Sequence, residues 1–133
     1  RTARWGTGWQ AGVDSADQVG AVIGVIKEAT RKYERTIDED HFGAGFGFRF
    51  GDPEEGASKA YIEALTKRLG RAPDRFVAIG DENTVMRRIH EFIDAGVHKF
   101  ILRPIGRGTE EMIEQTKLLI EKVLPEVDAL NRR

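Results

Sequence analysis

The stretch Phe42–Phe50 constrains this chain more than any other. Phe42, Phe46, Phe48 and Phe50 fall on one parity, with Ala44 among them, while Gly43, Gly45, Gly47, Arg49 and Gly51 fall on the other. Successive side chains of a strand point to opposite faces. One face therefore carries bulky rings and the other carries almost nothing except Arg49. If the aromatic face packs against helices, the bare face looks into an interior with room for a flat ring or a substrate.

The remainder repeats a plan of short apolar strand, glycine-containing turn and amphipathic helix. Residues 7–11 read as the first strand. Ser15 and Gln18 then form a capping box, ahead of Val19, Val22, Ile23 and Ile26 at helical spacing. After the Phe/Gly strand, Asp52 is expected to cap a helix with Pro53 at its first position. Ala60, Ala64, Leu65 and Leu69 would be its inner stripe and Gly70 its stop. Residues 76–80 lead into a helix over 82–95, with Val85, Met86, Ile89, Phe92 and Ile93 inward and Gly96 as the C-terminal cap. Residues 97–103 form the last strand, with Val97, Lys99, Ile101 and Arg103 expected on one face. Thr109-Glu110-Glu111 opens the last helix, acidic residues near its positive end, with Met112, Ile113, Leu119, Ile120 and Val123 on its core side. Strands separated by helices pair in parallel through right-handed crossovers, so the fold class is α/β. Only three strands are clear, and an eight-stranded barrel takes roughly 250 residues. A chain of 133 residues does not close one alone, and its first residues read as the end of a helix.

Four motifs carry a resemblance. Ala3-Arg4-Trp5-Gly6-Thr7-Gly8-Trp9 resembles the aromatic-Gly-Asp-Gly-Trp signature of luciferase-like monooxygenases, with Thr7 in place of Asp. Ile79-Gly80-Asp81-Glu82-Asn83-Thr84-Val85 resembles their Gly-Thr-Pro-Glu-Glu-Val element, without the Thr-Pro. The run from Phe92 to Pro104 is similar to their closing Ala-Gly-Val-x-x-Phe-x-Leu-Arg-Pro strand, and Val123-Leu124-Pro125-Glu126-Val127 to their Val-Leu-Pro-x-Leu ending. The motifs occur in the family's order over essentially the whole chain. The resemblance implies an FMN- or coenzyme F420-dependent oxidoreductase or monooxygenase on a TIM barrel. Residues 1–133 would be the C-terminal portion of that barrel, incomplete and weakly active at best by themselves.

In parallel β/α folds ligands sit at the carboxyl ends of strands, which directs attention to Trp9, Gln10, Arg49 and Arg103, with Gly45 and Gly47 leaving space beneath. A planar, permanently charged guanidinium suits phosphate or carboxylate, or negative charge developing on a reduced flavin-like ring. The alternative for each arginine is a structural ion pair, and Trp9 reads first as a packing residue. No catalytic residue is assigned. Gly43-Ala44-Gly45-Phe46-Gly47 lies inside a strand and is not a dinucleotide loop. The helix after Gly106-Arg107-Gly108 could hold an anion on its free N–H groups. His41, His90 and His98 lack zinc-site spacing, and Asp38-Glu39-Asp40 reads as a solvated turn, so no metal is expected.

Composition narrows the partners. Basic and acidic residues number 21 and 22, which gives no net field to draw nucleic acid or an anionic membrane. Cysteine is absent, excluding thiolate chemistry and fitting a reducing cytoplasm. No apolar run approaches the ~20 residues that span a bilayer. A small-molecule substrate is expected, and so is a homo-oligomer, since open parallel edges invite association. Two other readings stay open: a non-catalytic half-barrel that self-associates through its sheet edges, and a small anion-binding α/β domain.

Overall fold

A computed structural model describes residues 1–132. In chain order the elements are α1 (Thr2–Trp5), β1 (Trp9–Gln10), α2 (Ala16–Arg31), a 3-10 turn (Glu39–His41), β2 (Phe42–Phe50), α3 (Gly56–Leu69), β3 (Val77–Gly80), α4 (Glu82–Asp94), β4 (Lys99–Pro104), α5 (Thr109–Lys122) and α6 (Leu124–Asn131). β2 pairs with each of the other three strands. Its pairing with β1 is parallel, Trp9 opposite Phe42 and Gln10 opposite Gly43. With β3 it is again parallel, from Gly47 opposite Val77 to Phe50 opposite Gly80. The class is α/β with parallel strands. Among the described residues no helix is long and apolar enough to cross a membrane.

The chain divides into two compact units, Arg1–Phe46 with Ile89–Leu102, and Gly47–Arg88 with Arg103–Arg133. In the first unit, Phe42 and Phe46 are fully buried, and Phe46 stacks on Phe92 of α4 with ring centroids 5.8 Å apart. Burying one such side chain contributes roughly 1.5–3 kcal/mol. The capping box forms as expected: the Ser15 hydroxyl accepts from the Gln18 N–H, and the Gln18 side-chain oxygen accepts from the Ser15 N–H. Val19, Ile23, Ile26 and Thr30 make the buried stripe of α2, while Val22 lies on the exposed side. Arg35 ties down α1, donating to the carbonyls of Ala3 at 3.0 Å and Gly6 at 2.8 Å. Such a cation satisfies the carbonyls that a helix end leaves unpaired.

In the second unit, Phe48, Leu65, Phe76, Val77, Ala78, Val85 and Met86 are buried. The edge of β2 ends against a side chain. Gln115 of α5 accepts from the Phe50 N–H at 2.7 Å and donates to the Phe50 carbonyl at 3.0 Å, replacing a missing strand partner. That anchor decides which side of α5 faces inward. The expected core stripe of α5 is only partly buried: Val123 is, but Met112, Ile113 and Ile120 are exposed. The helix carries apolar residues on two sides, and the buried amide of Gln115 selects the other one.

Two further expectations change. The helix after β2 begins at Gly56, with Glu55 as cap residue, rather than at Pro53. Asp52 is occupied in its own turn, accepting from the Glu54 N–H at 2.8 Å. The inner residues of α3 are Ala57, Ser58 and Leu65, while Ala60 and Ala64 are exposed. In β4, Val97 does not share a face with Lys99, Ile101 and Arg103. Val97 is buried and the other three are exposed. The His98 N–H donates to the Phe42 carbonyl, and the Ile105 N–H to the Phe48 carbonyl. Val97 precedes β4, which begins at Lys99, so the alternation of the strand does not extend to it. Gly70 and Gly96 do end their helices, with φ of 68° and 93°.

The glycines of β2 are not equivalent. A Cβ on Gly45 would collide with the backbone carbonyl of Ile101, whereas one on Gly43 would collide with the tip of the flexible Gln10 side chain. Gly45→Ala should lower stability by about 1–3 kcal/mol. Gly43→Ala should stay within ~0.5 kcal/mol of the parent, since Gln10 swings aside. Urea unfolding of both variants checks this, and equal losses would contradict the packing described.

Candidate functional site

In the first unit Gly43 and Gly45 are buried, covered by the Gln10 side chain and the Ile101 backbone, which corrects the expectation of open space on that face. Ile101 lies beside Gly45 and keeps 52% of its surface exposed, and Lys99 is exposed as well. The two make a shelf of backbone, one apolar side chain and one ammonium. Among the described residues Lys99 has no ion-pair partner. An adjoining cavity of about 410 Å³ is lined by Thr7, Gly8, Trp9, Gln10, His41, Gly43 and Lys99. Trp9 is half-buried and Gln10 exposed, their positions set by pairing with the first two residues of β2.

His41 is oriented by its Nδ1, 2.7 Å from the Thr7 carbonyl. A carbonyl only accepts, so Nδ1 carries a proton and donates it, leaving Nε2 as the other ring nitrogen. That nitrogen lies 3.8 Å from Asp40. Asp38, Asp40 and His41 bring one donor atom each within 4.8 Å of one another, on an exposed turn. Between them, Glu39 pairs with Lys27 at 2.8 Å. The hydrogen bond from Lys27 chiefly holds its carboxyl below the ordinary value, with the charges of Lys27 and His98 adding to it.

The second unit holds Gly47, Arg49 and Arg103. Arg49 is 8% exposed and fully engaged. Its Nε donates to Glu55, and its Nη1 to the Ile105 carbonyl at 2.9 Å and to Glu111 at 3.3 Å. Glu111 also accepts from the Arg107 N–H at 2.8 Å. That amide bond first, and then the charges of Arg49 and Arg107, hold the Glu111 carboxyl below its ordinary value. Gly47 is covered: a Cβ there would meet the Tyr61 hydroxyl at 2.8 Å and Ile105 at 3.1 Å. Arg103 is exposed and has no ion pair among the described residues.

The structure therefore groups Trp9 and Gln10 with Gly43 and Lys99, and Gly45 with Ile101. Gly47 and Arg49 fall into a separate cluster with Tyr61, Glu55 and Glu111, a closed ion-pair network within this chain. Sequence reasoning missed Glu55, Glu111 and Gln115. The signal for Glu111 was present, since Gly106-Arg107-Gly108 read as a loop with an N–H free for an anion. Its occupant is a carboxylate one helical turn further on.

No protein-family model and no curated protein matches the chain. Solved structures do. The chain is similar to the crystal structure of monooxygenase RslO1 from Streptomyces bottropensis, with a TM-score of 0.69 and 18% sequence identity over 95% of this chain. The likeness is one of fold. The match covers 44% of that chain, so the present chain spans less than half the length of the structure it resembles.

Two outcomes follow for the arginine network. Arg49→Lys keeps the charge but cannot reach Glu55, Ile105 and Glu111 together. It should lose about 1.5–3 kcal/mol in urea unfolding, toward the lower end because solvent reaches both carboxylates. The carboxyl of Glu111 is lowered on folding, so its contribution is complete above its ordinary value near 4.5 and is lost as pH falls through the lower folded value. In Glu111→Gln the acid limb of a stability-against-pH curve should be shallower than in the parent. An unchanged limb would remove Glu111 from the network.

Proposed function

We propose that this chain forms part of the wall of a TIM barrel in an FMN- or coenzyme F420-dependent oxidoreductase, of the luciferase-like monooxygenase type. In this reading the ring of strands is completed by further β/α units. The observation that carries it is the exposed Lys99 and Ile101 beside a cavity lined by Trp9, Gln10 and Gly43 on a parallel sheet. The fold likeness to a monooxygenase and the order of the four sequence motifs support it.

The residues suit a flat heterocyclic cofactor. Ile101 offers an exposed apolar side chain beside a cavity lined by Trp9, Gln10 and Lys99. The Gln10 amide can both donate and accept at a ring edge. Lys99, without a carboxylate partner, would stabilise negative charge on a reduced ring. The cofactor when bound supplies hydride or oxygen chemistry, while the protein binds and orients it. Arg49 is committed to its two glutamates and is not the cation of this reading.

Binding by these residues alone should be weak and without turnover, because few contacts surround the ring. Titration of FMN and of F420 followed by amide NMR should shift Gly43, Gly45 and Ile101, with dissociation constants on the order of millimolar. Ile101→Asp should abolish the shifts. Absence of shifts at the shelf with both cofactors would contradict the reading, and so would tight binding that leaves the shelf untouched.

A further inference from the structure

The turn that leads into β2 carries carboxylates at Asp38, Glu39 and Asp40, and a lysine neutralises only the middle one. Glu39 pairs with Lys27 at 2.8 Å and lies 3.6 Å from His98. Asp38 stands in the cap position of the 3-10 turn, yet its carboxylate makes no cap hydrogen bond, and it has no ion pair among the described residues. Asp40 has one charged neighbour, the Nε2 of His41 at 3.8 Å. Both aspartates are exposed, and His41 is half-buried.

Reading 38–40 as a solvated turn leaves out the histidine that follows. The His41 N–H donates to the Asp38 carbonyl at 2.9 Å and closes the turn. With three residues per turn, positions three apart come together. One donor atom each from Asp38, Asp40 and His41 therefore lies within 4.8 Å of the other two. The imidazole is aimed from outside this group. Its Nδ1 donates to the carbonyl of Thr7, 34 residues earlier, at 2.7 Å, which leaves Nε2 as the nitrogen toward Asp40. Gly8 packs so closely on the His41 backbone and Cβ that a side chain there would collide with them. Metal-binding histidines are held in this way: one ring nitrogen donates to a carbonyl, which fixes the tautomer and directs the other nitrogen at the ion.

We propose that Asp38, Asp40 and His41 bind a divalent first-row transition ion, zinc foremost. Two carboxylates balance the charge of such an ion. The imidazole selects it over magnesium and calcium, which take oxygen ligands. Zinc draws its nitrogen and oxygen ligands to about 2.0–2.2 Å, so the exposed aspartates rotate inward while His41 stays where Thr7 and Gly8 hold it. Three protein ligands leave a fourth position for water or an anionic oxygen. Neither Lys99 nor Ile101 is a ligand, so the inference stands independently of the cofactor reading.

Calorimetric titration of zinc chloride into the protein, in a buffer that does not chelate, should find one site per chain in the micromolar range. His41→Gln and Asp38→Asn should each weaken binding about tenfold or more. His90→Gln, on the exposed side of α4, should leave it unchanged, and circular dichroism verifies that the variants are folded. A second readout needs no variant: cobalt chloride added to the parent should perturb the amide resonances of residues 38–41 and Thr7 first, and magnesium chloride should not. Zinc binding absent up to millimolar concentration, zinc binding undiminished in folded His41→Gln and Asp38→Asn, or a cobalt effect centred elsewhere would each overturn the proposal.

Discussion

Burial of Phe42, Phe46 and Phe48 on one side of β2 sets what every neighbouring element does. The rings need helices over them, and their alternation with glycine leaves the opposite side thin. Backbone of β4 approaches Gly45 so closely that no side chain fits there. The glycines thus serve packing: the missing side chains admit β4, whose own Ile101 and Lys99 stay exposed.

Polar groups close the far end of the same strand. Arg49 is buried, and a buried cation needs partners. Glu55, Glu111 and the Ile105 carbonyl supply them, drawing the start of α3 and the start of α5 onto one guanidinium. Gln115 then satisfies the backbone of Phe50. The last residue of the central strand is finished by one amide.

Local rules made much of this legible beforehand. The Ser15–Gln18 box, the helix stops at Gly70 and Gly96, and the two-faced β2 are short-range patterns whose geometry depends on adjacent residues only. What was not legible depends on partners far along the chain. Asp52 suits a helix cap, but Glu55, drawn to Arg49, begins the helix later. Val97 and Ile101 look equivalent by parity, but the strand begins only at Lys99 and Val97 packs in the core ahead of it. Met112, Ile113 and Ile120 have the spacing of a core stripe, yet Gln115 turns that stripe outward. Of the candidate site, the glycine face could be read from alternation alone. The neutralisation of Arg49 could not, because its carboxylates stand six and sixty-two residues away.

The central claim is that the aromatic side of β2 is sealed while Ile101 of β4, whose backbone covers Gly45, keeps an accessible side chain, and a chain without cysteine allows it to be measured directly. Single cysteines are introduced at Ala44, on the aromatic side, and at Ile101, on the shelf, and their reaction with a thiol reagent is followed under native conditions. Ile101→Cys should react at a rate close to that of an unfolded peptide, and Ala44→Cys far more slowly. Equal protection at both positions would contradict the account, since it would mean that the outer side of β4 is closed.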